Sequence, residues 1–124
     1  MEELRLRKQE LLSSAKFVIF NRDDFKCAYC GASSIEDGVK LHIDHIQPFS
    51  KTKDSNIYNL ITACSECNSS KNNKILNADV YDRIVRRNTE RNQGITQKSI
   101  DLVNEILGDL NKNRKTAKEK ASVT

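Results

Sequence analysis

Apolar side chains near the start of the chain fall at Leu4, Leu11, Leu12, Ala15 and Ile19, a spacing that predicts an amphipathic helix over about residues 3–21. The polar cluster Asn21-Arg22-Asp23-Asp24 ends it. Cys27 to Gly31 reads as a tight turn, with Gly31 free to adopt positive φ, and residues 31–38 read as loop. Val39-Lys40-Leu41-His42-Ile43 alternates with period two and predicts a short strand, stopped before Pro48. After a polar, turn-rich stretch, Leu60-Ile61-Thr62-Ala63 predicts the returning strand. A helix should begin near Cys67 and run to about Ile75, with Ser65 or Asn68 at its N-terminus. A second covers Ala78 to Arg91, with Val80, Tyr81, Ile84 and Val85 on one face, and Asn92-Gln93-Gly94 ends it. Thr96 can cap a last helix carrying Ile100, Val103, Leu107 and Leu110 on its apolar side. This pattern predicts an α+β fold: one domain over 1–110, with a core over about 21–76, flanking helices at about 3–21, 78–92 and 97–110, and a tail at 111–124.

Composition limits the energetics of such a domain. Of the 124 residues, 37% are apolar and 31% charged, so the core is small and a metal staple would help it fold. No apolar run reaches the length of a bilayer span, and the N-terminus lacks a continuous apolar signal segment; the expectation is a cytoplasmic protein without a membrane partner. The net charge of +4 resides wholly in the tail, where Lys112, Arg114, Lys115, Lys118 and Lys120 face only Glu119. Global charge therefore argues weakly for a nucleic-acid partner, and local clusters must carry that case.

All four cysteines lie in two CxxC pairs, Cys27/Cys30 and Cys64/Cys67. Thiolates are soft ligands, and four of them suit tetrahedral zinc. An iron centre, a disulfide or a redox pair are the competing readings, and a reducing compartment favours metal. The 33 residues between the pairs exceed an ordinary ribbon insertion, so a functional segment can be threaded through the loop.

That segment holds Asp44-His45-Ile46-Gln47-Pro48. Together with Asn21-Arg22-Asp23-Asp24-Phe25-Lys26-Cys27-Ala28-Tyr29-Cys30-Gly31, then Asn59-Leu60, then Cys64-Ser65-Glu66-Cys67-Asn68-Ser69-Ser70-Lys71, it resembles zinc-containing HNH nucleases, in order, over residues 21–74. The resemblance implies the ββα-metal fold, a two-stranded ribbon, a loop and a helix around one catalytic cation. Position by position it implies His45 as general base, Asp44 and Asn68 as ligands of the catalytic metal, and Asn59 as the middle asparagine that steadies the loop. Many relatives have histidine where this chain has Asn68, which makes it an H-N-N variant. The implied reaction is hydrolysis of DNA phosphodiesters to 5′-phosphate and 3′-hydroxyl ends.

The residue chemistry agrees independently. An imidazole titrates near neutrality and can take a proton from water at working pH. Oxygen donors from Asp44 and Asn68 are hard, favouring Mg²⁺ or Mn²⁺ over zinc at that second site. Neighbours in a regular strand face opposite sides, so Asp44 and His45 can address one phosphate only if the strand ends or twists there. Around the site, His42, Lys71, Lys74, Arg83 and Arg87 are candidate nucleic-acid contacts, with Arg86 and Arg91 beside them. The bland readings are a packing histidine at 42, solvated lysines, and arginines paired with Asp79, Asp82 or Glu90 on their own helix. Asn68 as a simple helix cap is the corresponding bland reading there. DNA is the expected partner, with RNA, a homodimer or a larger targeting partner left open. Two rival functions stand beside the nuclease: a zinc-stapled nucleic-acid-binding module without catalysis, and a protein-interaction subunit that docks through the helices at 78–110.

Overall fold

The computed structural model describes residues 2–47, 56–71 and 77–108. Pro48, Lys74, Leu110 and the basic tail lie outside the described residues. Helix α1 spans Glu2–Arg22, strand β1 Leu41–His45, strand β2 Leu60–Cys64, helix α2 Ser65–Lys71 and helix α3 Ala78–Asn92; a last helix, α4, covers 97–108. A single 3-10 turn, Ile57–Asn59, leads into β2.

The two strands form an antiparallel ribbon in which Leu41 faces Cys64, Ile43 faces Thr62 and His45 faces Leu60. The first strand thus begins and ends two residues later than the alternation at Val39–Ile43 predicts. Pairing rather than periodicity decides this: Asp44 and His45 find partners in Ile61 and Leu60, and Ile46 N–H extends the ribbon to Asn59 O at 2.8 Å. β2 is buried along its whole length, as a strand covered on both faces must be, whereas every residue of β1 is only partly covered.

The main core joins Ala15 and Ile19 of α1, Ile57 and Leu60 of the ribbon arm, and Ile100, Val103 and Leu107 of α4. A second cluster packs Ile46 and Ile61 on Ile84 of α3. The expected stripe on α1 is only half used. Leu4 and Leu11 are exposed, together with Leu6 and Phe17, and only Ala15 and Ile19 of the stripe are fully buried. Helix starts follow side-chain caps: Asn77 Oδ1 accepts from Val80 N–H at 3.0 Å, and Thr96 Oγ1 accepts from Ser99 N–H at 3.2 Å.

At the end of α1 the chain reverses through Asp24 and Phe25, both at positive φ (57° and 55°). Such a conformation is costly for non-glycine residues and persists only where the surroundings fix it. Here Phe25 N–H bonds Phe20 O at 2.9 Å and the Phe25 ring meets Phe17 edge-on. The neighbouring Arg22 is the polar hub of the fold. Its guanidinium holds both carboxylate oxygens of Asp23 at 3.0 Å and donates to Leu60 O at 2.8 Å and Asn92 Oδ1 at 2.8 Å. Asp23 accepts in turn from Thr62 N–H at 3.0 Å and pairs with Arg87 at 3.3 Å. Both Arg22 and Asp23 side chains are buried, so this network locks α1, β2 and α3 together.

Candidate functional site

The two CxxC turns close on one point. The Sγ atoms of Cys27, Cys30, Cys64 and Cys67 all lie within 4.8 Å of one another. Cys30 Sγ and Cys64 Sγ are 3.7 Å apart, close to the ~3.8 Å edge of a tetrahedron of thiolates at ~2.3 Å from zinc and far beyond a disulfide bond. All four cysteines are free. The backbone is wound for ligation: Cys30 N–H points to Cys27 Sγ and Cys67 N–H to Cys64 Sγ, each at 3.5 Å. Gly31, at φ 81°, closes the first turn through Gly31 N–H to Cys27 O at 2.8 Å. Burial opposes ionisation of Cys27, but N–H groups of Cys30, Cys64 and Tyr29 outweigh it and bring the thiol down to about 7. Burial and the neighbouring sulfurs push Cys67 up. Cys30 is raised as well, so an eased thiol at Cys27 stands beside raised ones at Cys30 and Cys67, a pattern that a bound cation would resolve. The donor set and its spacing fit a four-coordinate soft-ligand metal ion such as zinc.

The ribbon carries the remaining candidates on its two sides. β1 ends at His45, and Asp44 and His45 are both still paired with β2, to Ile61 and Leu60. His45 lines a cavity of about 530 Å³ that it shares with His42 and with Asn68 of α2. Asp44 does not line that cavity. Its Oδ2 accepts from Tyr29 Oη and from Lys71 Nζ, each at 3.0 Å, and the ion pair is largely shielded from solvent. Lys71 Nζ also donates to the carbonyl of His45. That single ammonium therefore bonds to two consecutive residues of β1 and holds α2 along the strand. Asn68 is three residues before Lys71 in α2, and it lines the cavity that Lys71 does not.

Asn68 is the fourth residue of α2, inside the helix, so it is not the helix cap of the bland reading. Asn59 clamps the exit of β1: its Oδ1 accepts from Gln47 N–H and its Nδ2 donates to Gln47 O, both at 3.1 Å. His42 Nε2 and Ser65 Oγ are hydrogen-bonded at 2.9 Å, which ties the start of α2 to β1. Arg87 is turned inward onto Asp23, and Arg91 donates to Arg22 O at 3.1 Å and approaches Asp24. Arg87 and Arg91 thus find acidic partners on the α1 turn, at Asp23 and Asp24, rather than at Asp79, Asp82 or Glu90. Arg83 is exposed.

Tyr29 is the site residue that sequence reasoning passed over. It stands between two ligand cysteines, and the sequence marks it only as the middle of a CxxC. Burial, reinforced by the adjacent Asp44 carboxylate and the bond to it, raises the Tyr29 hydroxyl above the usual phenol range, in keeping with its role as hydrogen-bond donor to Asp44. The Lys71 ammonium sits 6.0 Å from the centre of the same ring. Tyr29 consequently links the thiolate cluster to the Asp44 carboxylate.

The resemblance read from the sequence is met in comparison with known families. The model of the HNH endonuclease family matches residues 27–74, the stretch that runs from the first thiolate through the ribbon and past α2. A search of curated proteins finds no match. The two-stranded ribbon followed by α2, with a four-cysteine cluster, is consistent with the small ββα-metal architecture of that family.

Proposed function

We propose, from the HNH endonuclease signature over residues 27–74, that this chain is a metal-dependent endonuclease cutting DNA phosphodiester bonds. The observation that carries the reading is the meeting of His45 and Asn68 on one open cavity, with Asp44 next to His45 in the chain but held outside that lining by Tyr29 and Lys71. His45 accepts the proton of the attacking water, a task suited to an imidazole near neutral pH. Asp44 and Asn68 would supply a carboxylate and an amide oxygen, hard donors suited to Mg²⁺ or Mn²⁺, with Asp44 the donor that lies outside the cavity lining, its Oδ2 bonded to Tyr29 and Lys71. When bound, such a cation supplies charge neutralisation at the phosphoryl group and at the leaving 3′ oxygen. Tyr29 and Lys71 fix the Asp44 carboxylate, and Asn59 holds the backbone just after His45 in place. Cys27, Cys30, Cys64 and Cys67 hold structural zinc, which orients both CxxC turns and with them Tyr29 and the start of α2. The reading sets the protein in a reducing cytoplasm, where four free thiols persist.

Nicking of supercoiled plasmid tests the proposal. Zinc-loaded protein should relax it with Mg²⁺ or Mn²⁺ and not with EDTA, and H45A should lose about 10²–10⁴ in rate. One observation favours the second reading, a nucleic-acid-binding module without catalysis: Lys71 already neutralises Asp44. Under that reading the protein binds DNA with steep salt dependence and leaves it intact with every metal.

No helix among the described residues is long and apolar enough to cross a membrane.

A further inference from the structure

The cavity that holds His45 and Asn68 has a second wall, and α1 builds it. Leu12, Lys16 and Phe20 recur at i, i+4 and i+8, so they form one stripe along the helix, and all three line the cavity. Leu107 of α4 closes the apolar side. Its volume, about 530 Å³, is in the range of built ligand sites. No acidic residue is among its described lining, and Lys16 is the full positive charge there, exposed at its rim. An anionic group with an apolar flank matches the Lys16, Leu12 and Phe20 side of this lining. A nucleotide unit of a DNA strand has that character, with a phosphate for the ammonium and a sugar and base for the Leu12 and Phe20 wall.

We infer that α1 forms part of the DNA cleft and that Lys16 contacts a backbone phosphate of the strand that His45 addresses. This rests on the nuclease reading of His45. Lys16 lies outside the segment 27–74, so the inference assigns nucleic-acid binding to a helix that the family match does not cover. An electrostatic phosphate contact carries its own signature, a loss of about 0.9 in the slope of log affinity against log salt for each contact removed from a duplex.

The experiment measures binding of a fluorescein-labelled 20-base-pair duplex, and of one of its single strands, to zinc-loaded protein in EDTA over a range of KCl. The H45A background keeps the DNA intact. K16Q should weaken binding several-fold and reduce the salt slope by about one, and K16R should restore most of the affinity. K98Q, which removes the same charge from an exposed position on α4, should change neither. In cleavage by otherwise wild-type protein, K16Q should raise KM with kcat within about two-fold. A salt slope and KM for K16Q equal to those of K98Q overturn the inference. DNA left intact by wild-type protein with every metal would instead remove the nuclease reading and leave the Lys16 binding result standing.

Discussion

Replacing Asp23 should cost a large share of this domain's stability. Its carboxylate is fully buried and accepts from both arms of Arg22 and from Thr62 N–H, with Arg87 at 3.3 Å. D23A leaves the buried Arg22 cation with only Asn92 Oδ1 and the carbonyls of Ile57 and Leu60. Removing one partner of a buried ion pair costs about 3–5 kcal/mol, because the other charge stays behind in a poor solvent. The orphaned Thr62 N–H keeps the loss in the upper part of that range. Against a typical domain stability of about 5–15 kcal/mol, D23A should remove a third or more. D23N keeps the shape and loses the charge, so it should fall between D23A and wild type. The assay is urea unfolding in saturating zinc at pH 7, with zinc content checked for each variant. The pH dependence provides a second test. Burial raises the Asp23 pKa, but the bonds and charges of Arg22, the charge of Arg87 and the Thr62 contact outweigh it and hold the carboxyl below its ordinary value. The contribution is therefore complete above the unfolded value of about 3.9 and is lost as pH falls through the native one. The gap between wild type and D23N should close on acidification below about pH 4. A D23A loss under about 1 kcal/mol at pH 7, or a D23N gap that stays constant down to pH 2, refutes the argument.

Three further outcomes follow from the same geometry. C64S should abolish stoichiometric zinc and lower the unfolding midpoint sharply, since Cys64 sits at the junction of β2 and α2; metal analysis with full zinc retention would contradict the four-thiolate site. Y29F deletes only the hydroxyl that donates to Asp44 at 3.0 Å. It should keep zinc content and stability within about 1 kcal/mol while raising the Mg²⁺ concentration for half-maximal cleavage several-fold, and an unchanged Mg²⁺ requirement would remove the positioning role. R87Q should destabilise through the lost pairing with Asp23 by about 1–3 kcal/mol and leave the salt slope of DNA binding unaltered, which isothermal unfolding and anisotropy titrations check together.

The parts of the fold that the sequence announces are those set by local rules. The CxxC spacing marks the thiolate cluster, Asn77 and Thr96 mark helix starts, and the apolar stripe of α4 faces the core where Ile100, Val103 and Leu107 are buried. Long-range choices are the ones that escape it. β1 slides two residues toward Asp44 and His45 because β2 offers pairing partners there, which no alternation within β1 encodes. Arg87 leaves its own helix for Asp23, more than sixty residues away in sequence, because a buried carboxylate attracts it more strongly than exposed neighbours do. Tyr29 and Lys71 meet on Asp44 only after the first thiolate turn and α2 have both docked against the ribbon. At the candidate site, His45, Asp44, Asn59 and Asn68 are legible as residues through the family resemblance, whereas the side of the strand on which each one sits is a product of the tertiary fold.

The central claim is that His45 drives phosphodiester hydrolysis in a site that a hard divalent cation completes. Single-turnover cleavage of a defined duplex by zinc-loaded wild type and H45A, each with Mg²⁺ and with EDTA, measures this most directly. The account predicts 5′-phosphate products from wild type with Mg²⁺ alone and at least a hundred-fold slower cutting by H45A with unchanged zinc and fold. Equal rates for the two proteins, or intact DNA under every metal with tight binding retained, would contradict it.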